Sequence, residues 1–140
     1  MPRASAAREL LAARKDVWAF VEEPHHFPDW WPGVGGVQPG RRGFAEGARW
    51  EISGTGQPTL LRRATAGGML LVTGIQTPER FAWTMTGDRI DAELRLEEHG
   101  PDRTIATLDV EAPWLYGFSR ALTRRALTRL HALCQTAAEL

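Results

Sequence analysis

Residues 89–98, "RIDAELRLEE", alternate without a break: Ile90, Ala92, Leu94 and Leu96 fall on one side, Asp91, Glu93, Arg95 and Glu97 on the other. A period of two with one apolar side predicts a half-buried β-strand. The stretch "ARWEIS" at 48–53 reads the same way, with Ala48, Trp50 and Ile52 opposed to Arg49, Glu51 and Ser53. So does "RFAWTMTG" at 80–87, which sets Phe81, Trp83 and Met85 against Ala82, Thr84 and Thr86. A fourth strand, "RTIATLDVEA" at 103–112, carries Ala106, Leu108, Val110 and Ala112 on its small and apolar side. One buried and one wet face per strand indicates an antiparallel sheet. The joints are short and rich in Gly, Pro and Asp, as hairpins require.

The period is different at the two ends. "RKDVWAFVEE" at 14–23 places Val17, Phe20 and Val21 at helical spacing and stops at Pro24. A second short helix or turn is predicted in "HHFPDWW", ending at "PG". The closing stretch opens with Pro113 and has no later proline. Within it Leu115, Phe118, Leu122, Ala126, Leu130, Leu133 and Ala137 recur at three- and four-residue steps. That is an apolar stripe on one long helix over about 115–138, roughly 36 Å at 1.5 Å per residue. Short helices, a run of antiparallel strands and one long helix make an α+β domain. A long helix across a curved sheet with an aromatic inner face leaves a hollow between the layers.

One connection breaks the rule that surface loops are polar. "HHFPDWWPGV" at 25–34 packs Phe27, Trp30 and Trp31 around Pro28 and Pro32. These rings either plug the end of the core or line a place where an apolar molecule binds. Each tryptophan buries about 150–250 Å², so either role is energetically substantial.

The totals narrow the function classes. A length of 140 residues suits one domain, 1–140, with a core of its own. The 17 basic residues balance the 17 acidic ones, so the basic excess of a nucleic-acid binder is missing. A single cysteine, Cys134, forms no internal disulfide and no thiolate metal site alone. The N-terminal "MPRASAARELLAARK" lacks a signal-peptide core, and "GGMLLVTGI" at 67–75 is well short of the roughly 20 residues that span a bilayer. A cytoplasmic protein without stable membrane insertion is expected, as monomer or weak homodimer.

Candidate chemistry is sparse. His25 and His26 are neighbours, about 100° apart on a helix, and no second ligand pair accompanies them, so no metal is expected. They are read as flanking the short helix, and His131 as a buried, hydrogen-bonded structural residue beside Leu127 and Cys134. "GVGGVQPG" at 33–40 lacks the strand-to-helix setting of a phosphate loop. Asp91 and Glu93 share the outer sheet face. Arg120, Arg124, Arg125 and Arg129 form a solvated rim beside the apolar stripe of the last helix. Arg62 and Arg63 differ: on a strand one of the two faces inward and offers a cation with up to five donors.

In order along the chain, "DVWAFVEEPHHFPDWWPGV" at 16–34, "GARWEI" at 47–52, "TPERFAWTM" at 77–85, "AELRLEEHGPDRTIATLDVE" at 92–111 and the closing helix resemble the START-related, Bet v 1-like (SRPBCC) superfamily. Within it, the polyketide cyclase/dehydrase-type members are the most similar. The resemblance implies a helix-grip fold: a strand, two short helices, six more strands and a C-terminal helix gripped by the curved sheet. It also makes residues 5–12 a strand, although "AARELLAA" at 6–13 favours a helix by propensity. The family pattern has a single tryptophan before Pro-Gly directed inward, which implies that Trp31 faces inward and Trp30 packs outward on the first helix.

The implied function is binding of a small hydrophobic or aromatic molecule, lipid-like or polyketide-like, between sheet and helix, with no cofactor. Phe27, Trp31, Trp50, Arg62, Trp83, Leu94, Tyr116, Phe118 and Leu122 are the candidate ligand-binding residues. A cyclase or dehydratase acting on a polyketide-like chain is the enzyme alternative, with Arg62 or Arg63, Tyr116 and His131 as acid–base candidates. No catalytic residue is assigned. A co-chaperone-like interaction domain is the third class.

Overall fold

A computed structural model describes residues 3–54, 68–86, 89–112 and 118–139, with side chains at 54, 118–120 and 136–139 left undescribed. Seven strands form one antiparallel sheet: β1 Arg3–Leu10, β2 Val34–Pro39, β3 Arg49–Gly54, β4 Gly68–Gln76, β5 Arg80–Met85, β6 Ile90–Glu98 and β7 Thr104–Glu111. Their spatial order is β1-β7-β6-β5-β4-β3-β2, so the first two strands of the chain are the two edges. Between them run helices α1 Arg14–Val21 and α2 Phe27–Trp30, with a 3-10 turn at Pro24–His26 joining the pair. Helix α3 Phe118–Glu139 closes the described chain.

β1 shows tertiary structure overruling local preference. Its Ala, Leu, Arg and Glu favour a helix, yet every residue pairs with β7, from Arg3 opposite Glu111 to Leu10 opposite Thr104. The pairing puts Ala4, Ala6, Arg8 and Leu10 on the inner face. Small alanines there let α3 lie close, its Cα atoms within 8 Å of those of β1. α3 also meets β7 and α2.

The buried arc of α3 is broader than a three-four stripe. Leu122, Ala126 and Leu130 are buried as expected, and Thr123, Leu127 and Cys134 join them. Leu133 is only half-buried at the rim, because the helix is wedged between β1, β7 and α2 rather than laid flat on one sheet face. Leu115, Phe118 and Ala137 of the predicted stripe have no described side chain.

The inner sheet face follows the sequence alternation. Phe81, Trp83 and Met85 of β5 and Ile90, Ala92, Leu94 and Leu96 of β6 are all buried, as are Ala106, Leu108 and Val110 of β7. The outer face carries a row of paired charges. Arg80 Nε lies 2.9 Å from Glu93, and Arg95 bridges Glu93 at 3.4 Å and Asp109 at 2.8 Å. Asp91 accepts from the Thr84 hydroxyl at 2.6 Å. A concavity of about 620 Å³ on this face is lined by Asp91, Glu93, Arg95 and Asp109 of this row together with the Arg3–Glu111 pair, so its charges are spent on neighbours.

Candidate functional site

α1 starts without a side-chain cap and buries Val17, Trp18 and Val21. Glu23 then accepts the His25 backbone N–H at 3.2 Å, and Pro24 occupies the first turn of the 3-10 segment. His26 stacks on Phe20, with ring centroids 4.3 Å apart, and its Nδ1 lies 3.1 Å from the Phe20 carbonyl. A carbonyl only accepts, so Nδ1 carries the proton. His25 is exposed, and among the described residues no group of three metal-ligating side chains exists.

α2 is a single turn, and its aromatic residues are interior. Trp30 is fully buried and Trp31 and Phe27 are 2% exposed. Phe27 stacks parallel to Trp31 at 5.7 Å and meets Trp30, Trp50 and Trp83 edge-on at 5.2, 6.0 and 5.6 Å. Trp83 in turn stacks on Phe81 at 4.5 Å and takes Trp30 and Trp31 against its ring at 5.9 and 5.3 Å. Trp30 therefore points inward, contrary to the expectation that it packs outward. Two consecutive residues both face the core because the chain leaves the helix between them: Trp31 has extended backbone, φ −93° and ψ 116°.

A loop completes the block. Residues 40–47, which join β2 to β3, turn at Gly43 and Gly47, whose φ values of 58° and 82° lie in the left-handed region that glycine tolerates. The Gly43 carbonyl accepts the Trp50 indole N–H at 2.7 Å. The loop also lays Phe44 against Trp18 at 5.6 Å and Phe81 at 4.8 Å. Sequence reasoning missed Phe44. Its signal was an aromatic residue set in a glycine-rich turn just before a strand.

The donors of this block are unevenly served. Trp50 has its acceptor, whereas the buried indole nitrogens of Trp18, Trp30 and Trp83 have none among the described residues. The fully buried polar side chains elsewhere in the core are served: the Thr104 hydroxyl donates to the Ala12 carbonyl at 2.8 Å, and Thr123 is likewise partnered.

The structure thus brings together five of the sequence-derived candidates. Phe27, Trp31, Trp50 and Trp83 lie in one aromatic block, and Leu94 sits opposite Phe81 on the neighbouring strand. Leu122 is buried on α3. Arg62 and Tyr116 lie outside the described residues, as does the side chain of Phe118; Arg63 lies there as well.

His131 differs from its expectation. It is half-exposed at the edge of β1 rather than buried, and no hydrogen bond holds it among the described residues. Partial burial and the Arg8 guanidinium push its pKa below the ordinary 6.5. Cys134, one turn on, is buried, and desolvation raises its thiol to about 11. A thiol so protonated at neutral pH is a poor nucleophile.

No protein-family model and no curated protein matches the chain. Solved structures do. The protein XoxI from Bacillus cereus superposes with a TM-score of 0.74 over 99% of each chain at 8% identity. A START superfamily protein from Mycobacterium smegmatis gives 0.65 over 97% of this chain and 95% of its own, at 15% identity. A point mutant of norcoclaurine synthase from Thalictrum, solved with a transition-state analogue, gives 0.70 over 98% and 96% at 10% identity. Identities this low speak for architecture alone. With one antiparallel sheet, two short helices after β1 and a long closing helix, the chain has the helix-grip α+β fold, an architecture it shares with a START superfamily protein and with norcoclaurine synthase.

Proposed function

We propose that the protein binds a small hydrophobic or aromatic molecule against the aromatic block between the sheet and α3. The observation that carries this reading is the pair of indole N–H groups, of Trp30 and Trp83, buried there without an acceptor among the described residues. Native interiors satisfy nearly all buried donors, and an orphan costs about 1–3 kcal/mol. The two rings are in contact, 5.9 Å between centroids, and at most 1% exposed, so an acceptor-bearing ligand reaches both donors by parting the block. The ligand class that fits has an aromatic or alicyclic body and an acceptor oxygen, such as a phenol, ketone or ester.

Binding is favoured over acid–base catalysis by what lines the layer. The buried inner-face side chains of the described strands are hydrocarbon and aromatic, with Thr104 the polar exception, and its hydroxyl is already donated. Stacking on rigid indoles gives affinity with little ordering cost, which suits a carrier or sensor. The implied setting is a soluble cytoplasmic protein whose partner is the small molecule, and among the described residues no helix is long and apolar enough to cross a membrane.

Native mass spectrometry of the protein purified from its own host tests this directly. A co-purified mass that is lost on denaturation supports it. The ligand so found, or an aromatic polyketide from a screen, should shift tryptophan emission in the parent. Trp31→Phe and Trp83→Phe should each weaken binding about tenfold while remaining folded. Unchanged affinity in both variants, with stability alone reduced, makes the block a core plug.

A further inference from the structure

A second hollow lies on the other side of α1, away from the tryptophans. It has a volume of about 390 Å³ and is bounded by the β1–α1 corner (Leu11, Ala12, Ala13), Phe20 of α1 and Leu133 of α3. Cys134 and two carboxylates, Asp16 and Asp102, complete it. That volume lies within the range of about 300–1,000 Å³ typical of small-molecule sites.

The walls are held in place by groups that do not themselves need a ligand. The Thr104 hydroxyl pins the Ala12 carbonyl, and the Ala13 carbonyl accepts the N–H groups of Asp16 and Val17 at 3.0 and 3.1 Å. His26 fixes Phe20 from behind by stacking and by its Nδ1 contact with the Phe20 carbonyl. The hollow is therefore preformed.

Its charge is one-sided. Neither Asp16 nor Asp102 has an ion pair or a side-chain hydrogen bond among the described residues, and no cation lines the hollow. The two neighbouring arginines are engaged elsewhere. Arg103 lies 2.6 Å from Glu9, and Arg14 faces Glu79 and Glu98 at 3.6 and 3.7 Å. Lys15 borders an adjacent hollow with Arg14. The other described concavities hold acids and bases together.

We infer that this hollow is a binding site for a small organic cation: an ammonium group between Asp16 and Asp102, with an aryl or alkyl body on Leu11, Ala12, Phe20 and Leu133. The Phe20 ring adds a face that attracts a cation. Apolar walls supply affinity, and two uncompensated carboxylates select positive charge.

Three probes of one skeleton test it: benzylammonium, benzyl alcohol and benzoate, titrated at neutral pH into the ¹⁵N-labelled full chain. Benzylammonium should perturb the amides of 11–13, Phe20 and 133–134, and should bind about three- to tenfold more tightly than the alcohol, the range two partly exposed ion pairs give. Benzoate should bind weakest. Asp16→Asn combined with Asp102→Asn should abolish the preference for the cation and leave the alcohol's affinity unchanged, which also shows that the variant is folded. The inference fails if the three probes bind alike, if perturbations fall only on the indole N–H signals, or if none appears by 10 mM probe, a concentration at which about half the sites are filled when Kd is about 10 mM. Because the indole signals report the aromatic block separately, either site can fail while the other stands.

Discussion

Three tryptophans of nearly equal burial make an internal control for the value of a buried hydrogen bond. Trp50, Trp30 and Trp83 are at most 1% exposed, but among the described residues only the Trp50 indole N–H has a partner, the Gly43 carbonyl at 2.7 Å. Replacing each by Phe removes a similar volume and leaves a similar cavity, so that part of the cost is common to all three. For Trp50 the change also breaks a hydrogen bond whose net worth is about 0.5–1.5 kcal/mol. For Trp30 and Trp83 it removes a donor whose desolvation was never repaid, a relief of up to about 1–3 kcal/mol.

The expected difference is therefore about 1–2 kcal/mol, with Trp50→Phe the most destabilising of the three. Urea unfolding followed by far-UV circular dichroism measures it without relying on the fluorescence that the substitutions remove. A constant slope with denaturant shows that only stability has changed. If Trp30→Phe or Trp83→Phe costs as much as Trp50→Phe, the orphan donors are served in solution. The argument for an acceptor-bearing ligand then goes with them.

Other outcomes follow from the same geometry. Leu130→Ala, at a fully buried position of α3, should destabilise by about 2–5 kcal/mol, and an unchanged melting curve would contradict the docking of that helix. Cys134 has a folded-state pKa of about 11 against 9.0, so the folded state keeps its proton longer. Stability should fall as pH rises from 9 to 11, and Cys134→Ala should flatten that part of the curve. His131 has the opposite dependence. Its pKa is lowered on folding, so stability is full above 6.5 and is lost as pH falls through the lower folded value. His131→Gln should remove that acid-side slope in a pH titration of unfolding free energy.

The sheet was legible because its signal is redundant. Each of β5, β6 and β7 alternates over six or more residues, and a one-residue slip would expose the whole buried set. β1 was not legible by propensity. Its alanines favour a helix and only the β7 ladder makes them a strand, so the family resemblance supplied what the local pattern denied. The helix stripe was half-legible: Leu122, Ala126 and Leu130 follow the period, whereas the burial of Thr123, Leu127 and Cys134 depends on where α3 sits between β1 and α2. His131 was misplaced for a related reason, since its helical neighbours are buried but the sheet ends beside it at Arg8.

The candidate site was legible in composition and opaque in geometry. A Trp-Trp pair between prolines announces aromatic packing, but its direction is set by one dihedral change. Were Trp31 helical, it would lie about 100° around the axis from Trp30, and the two rings would not both reach Trp83. Its extended backbone turns it inward, and Phe27 stacks beneath it. The α1 side chose its partners in the same non-local way. Asp16 and Asp102 lie 86 positions apart in the chain and share a hollow only because the β6–β7 turn comes beside the β1–α1 corner. Nothing in the sequence says that Arg103 will turn to Glu9 and Arg14 to Glu79 and Glu98, leaving those two acids without a counter-ion among the described residues. Charge balance summed over the whole chain hides such local imbalance, and it is the local field that a ligand meets.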